Sequence, residues 1–269
     1  MILTDFSHIL TFSMLFIAAI FDVRSELGDV PDEFATTAII GGILLHAGQS
    51  YLLGSLSPLI YSISLGLIFS LYGWAAYWKG MWGGADAMAL SALGFGAPYM
   101  TLSLTGAVQH GFSLFINLVL VASAYTIVFS LIRAYKTEDF LVKLRERLYQ
   151  DKLRISLEIG IGLIVFGLMK PFRAFFLYIS IVLAIFLFRF LKIVERYGMM
   201  EEIKVDNLEG GEVIRESSDD RIKGVTEEEI EEIDGKVKVM HGLRFIPVFP
   251  VTLVLTDAGV TFFNYLIAA

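Results

Sequence analysis

Residues 58–78 read PLIYSISLGLIFSLYGWAAYW, twenty-one positions without a charged side chain. A helix needs about 20 predominantly apolar residues to cross the ~30 Å hydrocarbon core of a bilayer, and this stretch has that length and that composition. Further apolar runs occupy positions 9–21, 35–54, 87–104 and 109–131. One such run is an anchor, whereas several in succession make a bundle. The composition points the same way: of 269 residues 56% are hydrophobic, 22 are Phe, and the mean hydropathy is +0.68. Soluble domains are about half apolar. The fold expected is therefore an all-α polytopic membrane protein with six to eight transmembrane helices.

The count depends on the second half of the chain. Positions 133–154 are charged, with heptad-like Phe140, Leu141, Leu144 and Leu148 among Lys143, Arg145, Glu146 and Arg147, and read as an amphipathic helix lying at the membrane surface. Apolar character returns over 155–169 and, after Lys170 and Pro171, over 172–191. These two arms read as a helical hairpin or as one crossing plus an interfacial helix, and the choice changes the parity of the topology. Positions 193–242 are polar, with short alternating stretches at 203–205, 213–215 and 237–239 and a capping-box pattern at Thr226, Glu227, Glu228, Glu229. They read as a small soluble α+β insert. The chain then re-enters the membrane over 245–267. The divisions expected are a core at 1–134, a surface loop at 135–154, a hairpin at 155–192, an acidic soluble domain at 193–243 and a final helix at 244–269.

Several function classes drop out early. With no cysteine, the chain has no disulfide, thiolate metal site or cysteine nucleophile. Its four histidines (His8, His46, His110, His241) are too scattered in sequence to suggest a metal site, so no metal and no cofactor is expected. The net charge of −7 resides in one segment: positions 199–240 hold 14 acidic and 6 basic residues, a balance of −8. Nothing resembles a basic nucleic-acid footprint. The first apolar run lacks a basic leader and a small-residue cleavage site, and is expected to be a retained helix.

Orientation follows from the basic residues. The segment after the fifth run carries Arg133, Lys136, Lys143, Arg145, Arg147, Lys152 and Arg154, whereas the short links near Ser55 and Gly106 carry none, so the basic side is expected in the cytoplasm. Counting back places Asp22 and Asp86 at cytoplasmic helix ends. Lys170 and Arg173 count against this arrangement, which puts them outside.

Asp22 closes the first apolar run and Asp86 opens the fourth, both on one side of the membrane. Two carboxylates in a partly desolvated site do not both ionise easily, so one keeps a proton while the other activates water, and the pair titrates as a unit. Gly83, Gly84 and Ala85 precede Asp86, and small residues let a second backbone approach closely. An aspartate at a helix end is by itself most often an interfacial charge or cap. What singles these two out is the sequence around them.

The stretch Trp82, Gly83, Gly84, Ala85, Asp86, Ala87, Met88, Ala89, Leu90 resembles the glycine and aspartate motif of the archaeal preflagellin and prepilin peptidases, membrane aspartic proteases of the GxGD type. Asp22, Val23, Arg24, Ser25, Glu26, followed by Val30 and Pro31, resembles the pattern of their first catalytic aspartate. The layout is similar as well, with five helices, a cytoplasmic insert and a final helix entered through Arg244, Phe245, Ile246, Pro247, Val248, Phe249, Pro250. Ala85 stands where related proteases often have glycine, and the hairpin over 155–191 departs from the shorter archaeal enzymes. The resemblance implies an aspartic endopeptidase with Asp22 and Asp86 catalytic. Its substrates would be archaellin or pilin-like precursors, cut at the cytoplasmic face of the cell membrane between a short basic leader and an apolar helix. The cysteine-rich methyltransferase domain of bacterial members is missing, which implies cleavage without N-methylation. Arg24, Gly83, Gly84, Ala85, Pro247 and Pro250 are the expected site-shaping residues, the prolines by bending the last helix near the site. Arg24 equally obeys the inside-positive bias. Phe21, where presenilin-like enzymes carry tyrosine, favours the prepilin side.

Two readings compete. In a transporter or channel, intramembrane carboxylates such as Asp257 and Glu158 would bind ions or relay protons. In a noncatalytic scaffold the acidic insert would dock a partner. Asp257 lies within the last apolar run, away from the other two aspartates, and is expected to bond another helix; Glu158 is expected at the interface. His46 and His110 are expected to be satisfied helix polars near the outer face, and the glutamates of 227–232 a solvated helix face.

Overall fold

A computed structural model describes residues 2–24, 30–79, 82–98, 104–137, 139–153, 155–157, 160, 187, 189–204, 213–214, 236–240 and 243–259. The chain is mostly helical, and three of the described helices, Phe6–Arg24, Ser57–Trp78 and Thr105–Lys136, are long and apolar enough to cross a membrane. The expected hairpin over 155–191 lies outside the described residues but for its ends, as do Glu158, Lys170, Arg173, His241 and the helix expected from Thr226.

Two compact units divide the chain. The first comprises residues up to Tyr125 together with 203–237 and the segment from 242 onward. It contains α1 (Ile2–Arg24), α2 (Asp32–Leu53), α3 (Ser57–Trp78), α4 (Gly84–Gly96), the first part of α5 (Leu104–Lys136) and the last helix, here α7 (Val248–Asp257). Local chemistry sets the helix ends. Pro31 precedes α2, whose first turn carries Asp32 and Glu33 against the positive end of the helix dipole, and Gly54 closes it at φ 62°, a left-handed conformation that costs glycine nothing. Pro58 stands in the first turn of α3, where its missing N–H has no helical partner to lose.

The core of this unit gathers around α4, which packs against α1, α2 and α3. Leu15 and Ala18 of α1, Leu90 and Leu93 of α4, Leu114 of α5, and Phe249 and Leu253 of α7 are fully enclosed. Close approach depends on glycine: a Cβ on Gly94 would stand 2.9 Å from the Cα of Gly66 and from the carbonyl oxygen of Leu65, so α3 and α4 meet backbone to backbone. The outward faces keep large apolar side chains exposed, among them Ile9, Phe16, Leu44, Leu67, Leu71 and Phe112, as a lipid-facing surface requires.

α4 differs from expectation. It has 13 residues where the apolar run predicts a full crossing, and at about 1.5 Å per residue it spans roughly 20 Å. It ends at Gly96 before Ala97 and Pro98; the residue before a proline is driven out of the helical region, which stops the helix there.

The second unit, 126–202 with 238–241, holds the end of α5 and the surface helix α6 (Phe140–Gln150), which starts after Asp139 at φ 54°. Phe140, Ile193 and Val194 make its small core, joined by Ala134, Leu144 and Phe190. A π-helical turn at Val194–Gly198 leads into strand β1 (Met200–Lys204). Strands β2 (Val213–Ile214) and β3 (Lys236–Met240) follow along the chain.

Candidate active site

The buried positions of α1 include His8, Thr11, Leu15, Ala18 and Asp22, the i, i+3, i+4, i+7 recurrence of one helix face. Asp22 thus extends the core-facing stripe of α1 into its last turn, where it is only 6% exposed. A carboxylate at a helix C-terminus opposes the dipole, so its partners come from elsewhere in the chain. The backbone N–H of Ile246, just before α7, donates to Asp22 Oδ2 at 3.2 Å. The guanidinium of Arg244 acts on Asp22 electrostatically and donates to the carbonyl oxygen of Val23.

Asp86 occupies the third position of α4. Its Oδ2 accepts the N–H of Gly83 at 3.2 Å, half of a capping box, since Gly83 has no side chain with which to return the bond. The first-turn N–H groups of α4 suit a carboxylate there. Behind it, a Cβ on Gly73 would lie 3.1 Å from the Cα of Ala87, so the start of α4 rests directly on α3. Gly83 is exposed, and Gly84 and Ala85 are half-buried. α1 and α4 pack against each other, and the charge of Asp22 in the last turn of α1 acts on Asp86 in the first turn of α4.

Three further groups complete this end of the bundle. Tyr125 of α5 lies within electrostatic reach of Asp22 and donates its hydroxyl to the Arg244 carbonyl at 2.6 Å. Trp82, just before α4, packs on Phe245 at 5.7 Å and on Phe249 at 6.4 Å between ring centroids, joining the entrances of α4 and α7. No motif spacing links Arg244 or Tyr125 to Asp22, and only the pairing of distant helices reveals them. The one signal in the sequence is an arginine placed immediately before the last apolar run.

The remaining candidates fall as follows. Arg24 is exposed at the last position of α1, and Arg244 is the cation acting on Asp22. Pro247 caps α7 and Pro250 lies in its first turn, so the prolines begin this helix and do not bend its interior. The physical reason is that first-turn N–H groups lack helical acceptors, so proline forfeits no bond there. Asp257 is at the other end of α7, bonded to His8 on α1. His46 bonds Ser7 and Gln49, and His110 bonds the carbonyl oxygen of Ala97. Among the described residues no group of three or more His, Asp or Glu side chains is placed to hold a metal ion.

This end of the bundle thus carries a buried carboxylate, a second carboxylate within its electrostatic reach, a cation acting on the first and an exposed glycine before the second. Comparison with family models, with curated proteins and with solved structures finds no match to this chain.

Proposed function

We propose that this chain is an intramembrane aspartic endopeptidase of the prepilin and preflagellin peptidase type, with Asp22 and Asp86 as its catalytic pair. The observation carrying this reading is that Asp22, buried at the end of α1, acts electrostatically on Asp86 at the start of α4. Either aspartate alone is accounted for as a helix-end residue; two from different helices, converging next to small residues, are what acid–base hydrolysis needs.

The chemistry uses one proton held by the pair. The ionised carboxylate takes a proton from water, whose oxygen attacks the peptide carbonyl carbon. The protonated carboxyl group gives its proton to the carbonyl oxygen. The gem-diol intermediate collapses as the carboxyl group that took water's proton gives it to the amide nitrogen, the C–N bond breaks, and a diol hydroxyl returns a proton to the other carboxylate. Arg244 and the Ile246 N–H stabilise charge on Asp22, while the exposed Gly83 leaves room for a substrate strand.

The substrates in this reading are archaellin or pilin-like precursors. The precursor helix stays in lipid while its basic leader lies at the cytoplasmic surface beside the two aspartates. The acidic segment at 199–240 attracts that leader electrostatically.

The test uses the detergent-purified chain and a peptide joining a basic leader to an apolar helix, with products located by mass spectrometry. Wild type and Asp257→Asn cut at the leader boundary, and neither Asp22→Asn nor Asp86→Asn does. Cleavage by the Asp22→Asn and Asp86→Asn proteins at the wild-type rate would sink the assignment. Ion flux through wild-type vesicles, abolished by Asp257→Asn, would favour a transporter.

A further inference from the structure

α7 has ten residues and connects two polar sites. At its entrance, the Ile246 N–H rests on Asp22 and Arg244 bonds the Val23 carbonyl. At its far end, the Asp257 carboxylate accepts from Nδ1–H of His8, its two oxygens lying at 2.9 and 3.0 Å, and Thr256 Oγ1 accepts from Asn117 Nδ2 at 2.9 Å. His8 and Asp22 share the buried face of α1 fourteen positions apart, or about 21 Å along its axis. α1 and α7 therefore run antiparallel, tied at both ends.

Between those ties Leu15 and Ala18 of α1 share an apolar core with Phe249 and Leu253 of α7. In a membrane such contact holds by packing alone, because lipid is as apolar as the partner helix, and hydrogen bonds at the ends add directional contacts that pick out one register. The position of α7 along α1 is thus set by its polar ends. The near-end bond has little slack: at 3.2 Å it stands at the upper edge of N–H···O distances, so a slide of about 1 Å breaks it. His8 is buried with its Nε2 unpartnered among the described residues, so its link to Asp257 is its one fixed polar contact.

We infer that His8 and Asp257 are positioning residues, whose bond fixes α7 along α1 and thereby holds the Ile246 N–H on Asp22 at the opposite end of the helix. The activity arm of the test rests on the peptidase reading, and the spectroscopic arm does not. Trp82 packs on Phe245 and Phe249 at the α7 entrance, so in a Trp74→Phe, Trp78→Phe background it is the sole tryptophan and reports that entrance.

The full-length chain in lipid nanodiscs is compared as wild type, Asp257→Ala, Asp257→Asn and the double variant His8→Leu with Asp257→Leu. The last replaces the pair with apolar side chains and preserves folding even where a lone, unpaired partner would not. Asp257→Ala and the double leucine variant shift the Trp82 emission, and their kcat falls by about tenfold or more at little-changed KM, as a misplaced group costs. Asp257→Asn keeps a carbonyl acceptor for His8 and stays near wild type in both. A double leucine variant that is folded and matches wild type in Trp82 emission and kcat overturns the inference. Should wild type cleave nothing, the peptidase reading fails, and the Trp82 emission alone decides the positioning role: a shift supports it and an unchanged spectrum refutes it.

Discussion

Two arginines are candidate partners for Asp22, and the one favoured by sequence is not the one that acts on it. Arg24 is two positions away and fits a motif; Arg244 is 222 positions away and fits none. Helix geometry separates them, because side chains two apart on a helix point to different faces, so Arg24 faces solvent while Asp22 turns inward. Arg244 arrives at the carboxylate through the turn before α7. Arg244→Met is therefore expected to lower kcat/KM by about tenfold, the worth of roughly 1.5 kcal/mol for a charged partner, while Arg24→Met stays within about twofold. Steady-state cleavage of the leader peptide by the two variants measures this, and equal losses would contradict the assignment. A single proton shared by the pair also predicts that cleavage declines on the alkaline side as both carboxylates ionise, and on the acid side as both protonate, which a pH–rate profile reads directly.

At the scale of elements, the short α4 is the feature that makes a site possible. A full crossing would share lipid contact along its length; the 13-residue helix packs among α1, α2 and α3 instead. Enclosure requires backbones to touch, and on the α3 side they do so where Gly94 meets Gly66 and Leu65. Gly94→Val is expected to destabilise the bundle by about 1–3 kcal/mol through overpacking, seen as a lower thermal unfolding midpoint in detergent. Gly48 in α2 has open space around its missing Cβ, so Gly48→Ala is expected to be neutral or to stabilise by up to about 1 kcal/mol, the helix propensity difference. Similar losses from both substitutions would mean that helix propensity, and not the α3–α4 contact, governs stability.

For the whole molecule, the arrangement of charge predicts its orientation. The basic residues from Arg133 to Lys152 are expected in the cytoplasm together with Asp22 and Asp86. Because the chain has no cysteine, single substitutions can be labelled without a background. Lys79→Cys, next to the α3 end, and Thr137→Cys, after α5, are expected to react with an impermeant maleimide only from the cytoplasmic side, and Ser55→Cys only from outside. Labelling of Ser55→Cys and Lys79→Cys from the same side would refute α3 as a crossing. Labelling all three from the reversed sides would leave the fold intact and move the proposed cleavage to the outer face.

Hydropathy and punctuation were enough to read the helices of the first half, since a long uncharged run has one stable form in lipid and Pro31, Gly54 and Pro58 mark helix ends by their own backbone limits. Asp22 and Asp86 stand out in one dimension as carboxylates at the edges of apolar runs, but only the residues flanking them mark the two as a candidate pair. The length of α4 was not legible, because 87–104 is apolar beyond the point where Pro98 stops the helix, and hydropathy does not register a helix end inside an apolar run. Nor were the role of the prolines as the start of α7, the Arg244 partnership or the His8–Asp257 tie legible. The two partnerships join residues from opposite ends of the chain, and which faces of two helices meet is decided by the packing of the entire bundle, a property that no local window contains.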